Sequence, residues 1–250
     1  VSPIVCTIGT TDPWNAAGLG LDLWALRECG VRAVSIVAAV SAQDAGGVHA
    51  LAPLAPELIA AQFASLAVLP IAAYRVGALA GAPAVRAVAA AVRLRPAPLV
   101  LDPVLAASGG GEFAGEPTIA ALLAELIPLA TLLTPNLSEA SRLAGLPVAS
   151  LEEMKAAAAR LAAAGPAVLV KGGHLDGAPV DLLWASGAAE ALAGVRIPAT
   201  LRGTGCLLAA AAAAELAKGA TIRTAVMRAR AFVRTKLEAG VMLGPMRVAY

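Results

Sequence analysis

Six consecutive residues, Arg202-Gly203-Thr204-Gly205-Cys206-Leu207, stand directly ahead of an apolar helical run from Leu207 to Lys218. They combine a cation, two unhindered backbone positions, a hydroxyl and a thiol. Gly203 and Gly205 let successive backbone N–H groups converge at a helix N-terminus. That end carries roughly half a positive charge and suits an anion or a developing oxyanion. Cys206 falls in the first turn, where the same field is expected to acidify a thiol. Gly203, Thr204, Gly205 and Cys206 therefore fit a phosphoryl-transfer site with a built-in base. They fit equally a Gly-rich helix start over a buried cysteine, so the residues around them must decide.

Several polar residues are candidates to work with this turn. Asp102 ends an apolar run and precedes Pro103, a place for a carboxylate acting on Mg²⁺ directly or through water, or for a loop cap. Asn136 and Glu139 are one helical turn apart, and would hold metal-bound water near phosphates or simply cap a helix. Lys171 follows a buried run and precedes two glycines, which suits a phosphate contact or a surface turn. His174 is either a polar wall or a loop residue, and His49 has no partner pattern. Phosphoryl transfer needs positioned charge, a metal and a proton acceptor more than covalent help. A GxxxxGK[ST] loop and a GxGxxG fingerprint are both absent, which argues against a Walker-type fold and a dehydrogenase.

These residues need a scaffold, and alternating short apolar runs and helical segments supply one. Strands are expected at Ile4 to Ile8, Val31 to Val40, Ile71 to Val76, Leu99 to Leu101, Ala130 to Leu133 and Ala167 to Val170, with a hairpin around Gly187. Helices are expected at Gly18 to Glu28, Pro56 to Leu69, Ala84 to Leu94, Ile119 to Leu126, after the Asn136 cap, Leu151 to Ala164, Cys206 to Lys218 and Ile222 to Glu238. The alternation predicts an α/β fold with a mainly parallel sheet and helices on both faces. Ligands of such sheets lie beyond the strand C-termini. Gly9 to Asp12, Ser41 to Asp44, Gly77, Asp102, Thr134 to Asn136 and Lys171 to His174 all fall at such ends.

Composition bounds the function. With 250 residues, 59% hydrophobic and 14% charged, the chain is long and apolar enough for one large α/β domain over residues 1–250. A net charge of +2 and 3% aromatic residues leave neither a basic patch nor a stacking platform, so nucleic acid is not an expected partner. Three widely spaced cysteines form no metal pattern and suit free thiols in a reducing compartment. Mean hydropathy is high at +0.77. Even so, no uninterrupted apolar stretch approaches the roughly 20 residues of a membrane span, and no signal-peptide pattern is seen. A cytoplasmic protein with no membrane partner is expected.

The motifs together resemble the ribokinase-like superfamily. Within it, the chain is similar to the hydroxymethylpyrimidine/phosphomethylpyrimidine kinases of thiamin biosynthesis, from about Ile4 to Glu238. The resemblance rests on Thr11-Asp12-Pro13 with Ala17-Gly18, Gly20-Leu21-Asp22-Leu23, Ala42-Gln43-Asp44 with Gly47-Val48, and Asp102-Pro103-Val104. It rests also on Thr134-Pro135-Asn136-Leu137-Ser138-Glu139-Ala140, Lys171-Gly172-Gly173-His174-Leu175 and Gly203-Thr204-Gly205-Cys206.

It implies a three-layer ribokinase-like fold. It also implies ATP- and Mg²⁺-dependent phosphorylation of 4-amino-5-hydroxymethyl-2-methylpyrimidine, then of its monophosphate, by a homodimer. By position, Gly9, Asp22, Gln43, Ala78 and Val104 would line the substrate pocket, with Ala78 in place of a larger apolar residue. Cys206 would be the base, with Gly203, Thr204 and Gly205 forming the anion hole. Lys171, Asn136 and Gly173 would meet the nucleotide, and Glu139 and Asp102 would serve the metal. Pyridoxal kinase and a catalytically weak pyrimidine-binding or regulatory protein are the alternatives. Three departures bear on these roles. Trp14 stands in a loop that is usually Gly-rich. Ala106-Ala107-Ser108-Gly109 lacks the usual Lys. Thr200-Leu201-Arg202 replaces Asn-Thr-His.

Overall fold

The computed structural model describes residues 2–106, 110–173, 179–197 and 201–250. Its central sheet comprises β1 (Ile4–Thr10), β2 (Arg32–Asp44), β3 (Gly47–Pro53), β4 (Ile71–Val76), β5 (Leu99–Leu101), β6 (Leu132–Leu133), β7 (Ala167–Val170), β8 (Val180–Ala185) and β9 (Ala188–Ala193). The spatial order is β3-β2-β1-β4-β5-β6-β7-β8-β9. The run from β2 to β7 is parallel, while β3, β8 and β9 join antiparallel at the two edges. The mainly parallel sheet is thus as expected. Chain order reverses across β1: β2 lies on one side of it and β4 on the other. The crevice beyond the C-termini of β1 and β4 is therefore the topological switch point, where open α/β sheets bind ligands.

Side-chain alternation along the strands divides the interior in two. Cys6, Ile8, Tyr74, Val76, Leu99 and Leu101 face one layer, made of α2 (Pro56–Ser65), α3 (Ala82–Leu94), α4 (Glu116–Ala121), α5 (Leu137–Ala144) and α6 (Leu151–Ala162). Val5, Ala73, Val100 and Leu132 face the other, made of α1 (Gly18–Glu28), α7 (Thr204–Ala217) and α8 (Ile222–Ala239). Helices on both faces of the sheet complete the expected three-layer arrangement.

α7 is the most deeply placed helix. Every residue from Leu207 to Leu216 is buried, because six consecutive alanines let its backbone approach the sheet, α1 and α8 closely. A helix that is apolar all round belongs inside a protein. Gly203 starts it in the left-handed region, at φ +79, where an added Cβ would collide with Leu21 and the Ala16 carbonyl. The helix N-terminus is thereby pressed against α1 and the loop before it.

Several boundaries differ from the sequence expectation. β2 extends to Asp44 and pairs with β3, which was not anticipated: Gly47–Pro53 is mostly exposed and carries His49 and Pro53, so it lacks the apolar alternation of an inner strand. α2 ends at Ser65 rather than Leu69. The helix after Glu116 widens into a π turn at Leu122–Leu126 and tightens at Ile127–Leu129, where Pro128 has no N–H to continue the α-helical ladder. A C-terminal hairpin, β10 (Val241–Leu243) with β11 (Met246–Val248), was also unanticipated. Met246 and Val248 pack with Ala16 and Trp14, and the Tyr250 hydroxyl donates to the Trp14 carbonyl at 2.7 Å.

Close approach of α7 gives a direct test. Ala211 is 1% exposed, so Ala211→Leu should lower stability by about 1–3 kcal/mol through overpacking. An unchanged urea midpoint would show that α7 is less tightly enclosed than described.

Candidate active site

The strand that carries Arg75 organises the site. In β4, alternation turns Ala73 and Arg75 toward the α1–α7 layer, and in β1 Thr7 pairs with Arg75 across the sheet. Arg75 is 1% exposed, and its guanidinium reaches Asp22 Oδ2 at 3.2 Å and Asp102 Oδ2 at 3.4 Å. Thr7 donates to the same Asp22 oxygen at 2.7 Å. Asp102 Oδ1 accepts from Lys171 Nζ at 2.8 Å and from Thr134 at 3.2 Å. Four charged residues from α1, β4 and the ends of β5 and β7 thus form one continuous chain, Asp22–Arg75–Asp102–Lys171.

Burial sets the protonation of this chain. It pushes Asp22 up to about 6, partly offset by Arg75 and Thr7. Burial pushes Asp102 the same way, but Lys171 and Arg75 outweigh it and hold that carboxylate below its usual range. Lys171 is opposed by burial yet held above its usual value by Asp102 and Glu139. Asp22 Oδ1 and Arg75 Nε have no hydrogen-bond partner among the described residues. A buried unpaired polar atom costs about 1–3 kcal/mol. The cluster is therefore poorly explained as a device for stability alone.

The turn before α7 closes over this chain. A Cβ added at Gly205 would lie 3.1 Å from Lys171 Nζ and 3.6 Å from Asp102 Oδ2. The first amides of α7 and the Lys171 ammonium therefore converge on one small volume. Cys206 is half-buried beside Arg75. The expected acidification of its thiol is overturned. Burial pushes Cys206 up to about 11; Arg75 and the Gly18 amide lower it, but Asp22 and Asp102 act with burial. Desolvation and two nearby carboxylates outweigh the Arg75 guanidinium and the Gly18 amide.

Asn136 and Glu139 form a reciprocal capping box at the start of α5. The Glu139 amide donates to Asn136 Oδ1 at 2.9 Å, and the Asn136 amide donates to Glu139 Oε2 at 2.7 Å. Glu139 is pushed up to about 7 by burial, against the pull of Lys171. The capping expectation for this pair is met, and the charges of Lys171 and Asp102 also act on Glu139. Asn136 and Lys171 also form a parallel backbone bridge.

Other expected residues lie at the same edge of the sheet. Gly9 lies one residue before the end of β1 against Gly77 and Ala78, Val104 follows Asp102 in a tight turn, and Gln43 lies one residue before the end of β2. Gly173 is exposed beyond Lys171. His174, Ser108 and Thr200 lie outside the described residues. His49, which showed no partner in the sequence, pairs with Asp44 at 2.9 Å at the tip of the β2–β3 ribbon. Arg75 was missed by the sequence reading, as was the supporting hydroxyl of Thr7; Thr134 stood among the strand-end residues expected there. A cavity of about 560 Å³ between Thr131, Pro166, Trp184 and Ile222 sits at the opposite end of the strands and contains none of these groups.

Trp14 does not fill the site. The Asp12 carboxylate accepts from the Trp14 and Ala17 amides at 3.1 and 2.9 Å, shaping the loop ahead of α1. The Trp14 ring packs instead toward the C-terminal hairpin, close to Gly244.

A divalent cation fits part of this donor set. Among the described residues, no group of three or more His, Cys, Asp or Glu side chains could hold a metal by itself. Both Asp102 oxygens are already engaged by cations. Glu139 uses one oxygen in its cap. Mg²⁺ is commonly bound through one or two carboxylates, retained water and substrate phosphates. Glu139, with Asp102 acting through water, suits that mode and not an all-protein cage.

A family model described as phosphomethylpyrimidine kinase matches residues 12–249. The chain is 35% identical over 245 residues to the hydroxymethylpyrimidine/phosphomethylpyrimidine kinase of Streptomyces coelicolor, covering 97% of this chain and 91% of that protein. Among solved structures, Bacillus subtilis pyridoxal kinase bound to ADP superposes with a TM-score of 0.90 at 30% identity, covering 98% of this chain and 95% of the other. The phosphomethylpyrimidine kinase of Clostridium difficile superposes with a TM-score of 0.83 at 27% identity, covering 94% and 99%.

Arg75→Met leaves Asp22 facing no cation. Removing one partner of a buried ion pair costs about 3–5 kcal/mol, and a loss of that size is expected by chemical denaturation at neutral pH. Asp22 titrates near 6 in the fold, above its ordinary value of 3.8. Its charge therefore opposes folding as pH rises through that window. The deficit of the variant should shrink from pH 7.5 to pH 5, as Asp22 takes up a proton. An equal deficit at both values would show that Arg75 does not compensate Asp22.

Proposed function

Because the chain belongs to the phosphomethylpyrimidine kinase family, we propose that it transfers the γ-phosphoryl group of ATP to the hydroxymethyl oxygen of 4-amino-5-hydroxymethyl-2-methylpyrimidine. A second transfer to the resulting monophosphate completes the thiamin-biosynthetic activity named for its relatives. The observation that carries this reading is the approach of the Gly203–Cys206 turn to Lys171 and Asp102. It places amide donors, an ammonium and a thiol around one volume at the switch point of the sheet.

The residues act as follows. Amides of Gly203, Thr204, Gly205 and Cys206 at the α7 N-terminus hold the phosphoryl oxygens and stabilise charge that develops on them. Lys171 neutralises phosphate charge, and Asp102 fixes the ammonium in place. Asn136 and Gly173 border the nucleotide side. Glu139 would hold Mg²⁺, with Asp102 acting through water, and the bound ion would neutralise charge on the phosphates. Asp22, Gln43, Gly9, Ala78 and Val104 border the pyrimidine. The hydroxymethyl proton passes to Cys206 Sγ. With a pKa of about 11, the thiol is mostly protonated at neutral pH, and the few molecules carrying the thiolate hold a strong base beside Arg75.

The combined presence of base, ammonium and amide turn supports an enzyme over a binding protein. The solved pyridoxal kinases share the fold, and substrate competition separates the two activities. We also infer a cytoplasmic homodimer of single-domain chains that acts on a small molecule and not on nucleic acid or membrane. The low net charge supports the exclusion of nucleic acid as a partner. Among the described residues, no helix is long and apolar enough to cross a membrane.

Turnover with Mg²⁺ and ATP on the pyrimidine, its monophosphate and pyridoxal tests the proposal. Phosphorylated pyrimidine is the expected product, and turnover of pyridoxal alone would contradict it. Cys206→Ala should lower turnover by about 10²–10⁴, the usual worth of a positioned general base, while sparing pyrimidine binding. In the unsubstituted protein kcat/KM should rise as pH increases from 7 toward 10, since only the thiolate accepts the proton. A flat profile, or a Cys206→Ala variant near full activity, would remove Cys206 from the base role.

A further inference from the structure

Beyond Thr10, which pairs with Ala39, β2 continues without β1 beside it and forms a two-stranded ribbon with β3. Isolated two-stranded ribbons are marginal in water. This one is tied back by Ser41 to Thr11 and by the Val48 amide to the Gly110 carbonyl. A third tie comes from the far side of the site. Arg202 donates through Nη1 to the Asp44 carbonyl at 2.7 Å and through Nη2 to Gln43 Oε1 at 3.1 Å. Its own amide donates to the Arg247 carbonyl at 3.1 Å, so the C-terminal hairpin holds its backbone. Both acceptors, one a backbone carbonyl and one a carboxamide oxygen, are neutral.

These contacts determine which way Gln43 faces. A guanidinium only donates, so the atom of the carboxamide turned toward it must be oxygen. The NH₂ group is then directed elsewhere. Gln43 is 7% exposed, yet among the described residues its Nε2 makes no hydrogen bond, and it is not sealed away from solvent as Asp22 Oδ1 and Arg75 Nε are. A bulge between Ala42 and Gln43 re-aims this residue in the ribbon. Donation to its oxygen from a cation also polarises the amide and strengthens the N–H as a donor.

We propose that Arg202 is a specificity-determining positioning residue: it locks the Gln43 carboxamide so that its NH₂ group offers a hydrogen-bond donor to a ring-nitrogen acceptor of the substrate, and it ties the β2–β3 ribbon to the anion-binding turn. This inference rests on the pyrimidine kinase reading above. Arg202 acts through Gln43 and does not itself touch the ring. Two of its guanidinium nitrogens donate to the ribbon.

Calorimetric binding of 4-amino-5-hydroxymethyl-2-methylpyrimidine to the unsubstituted protein, Arg202→Ala, Gln43→Ala and the double variant tests it. Each single change should weaken binding about tenfold, the worth of one well-made hydrogen bond. The double variant should bind no more weakly than Gln43→Ala, because coupled residues are not additive. Arg202→Lys keeps the charge, reaches only one of the two acceptors and should fall between Arg202→Ala and the unsubstituted protein. Unchanged affinity in Arg202→Ala, an additive double variant, or weakened binding of the monophosphate alone would each overturn the inference and leave the kinase reading standing. Absence of pyrimidine binding by the unsubstituted protein would overturn the kinase reading and this inference with it.

Discussion

Burying a guanidinium is among the costlier acts in a protein interior, and the placement of Arg75 in the middle of β4 constrains everything around it. The cation must be met by carboxylates, and the fold supplies them from two directions: Asp22 from α1 and Asp102 from the end of β5. Asp102 in turn fixes Lys171 at the end of β7. An apolar replacement of a buried charge cluster is often neutral or stabilising. The cluster is therefore best understood through what it positions: the Asp22 carboxylate, the Lys171 ammonium and, beside them, the Cys206 thiol, the groups to which the proposed reaction assigns its roles.

The architecture delivers these groups to one place without long-range adjustment. Strand order reverses at β1, so the ends of β1 and β4 diverge to leave a crevice. The alanine face of α7 lets its first turn sit directly over the charged chain, and the small residues at 203 and 205 remove the atoms that would hold it off. The same enclosure has an electrostatic consequence. Desolvation beside Asp22 and Asp102 makes Cys206 a weak acid despite the helix terminus. Its conjugate thiolate is correspondingly strong as a base, which suits removal of an alcohol proton and costs population at neutral pH.

Much of this was legible in the residues. The limits of α1, β4, β5 and β7 follow from apolar runs closed by Gly, Pro or charge, and the Asn136–Glu139 cap follows from three-residue spacing. The site residues fell at strand ends for the same reason. Arg75 was not legible, because the one charge in a six-residue apolar strand shows its partners only once the two faces of the sheet are assigned. Its parity with Ala73, on the side that receives Asp22, was the signal available. The β3 strand was hidden by its exposure, and the acidity of Cys206 was misjudged because a helix dipole can be read from sequence whereas depth and neighbouring carboxylates cannot. In the sequence Arg202 is only the cation ahead of the Gly203 turn; the fold brings it to Gln43, 159 residues earlier in the chain.

The central claim is that the buried charge chain serves chemistry at no gain in stability. Its most direct test replaces Asp22 and Arg75 together with apolar residues of similar size, Asp22→Leu with Arg75→Met, leaving the Asp102–Lys171 pair intact. Stability by denaturant titration and turnover with ATP and the pyrimidine are then measured on the same preparation. The account predicts stability within about 1 kcal/mol of the unsubstituted protein or above it, with turnover reduced at least about 100-fold, the scale of a lost positioned group. A doubly substituted protein that turns over normally, or one that unfolds while Asp102 and Lys171 remain paired, would contradict it.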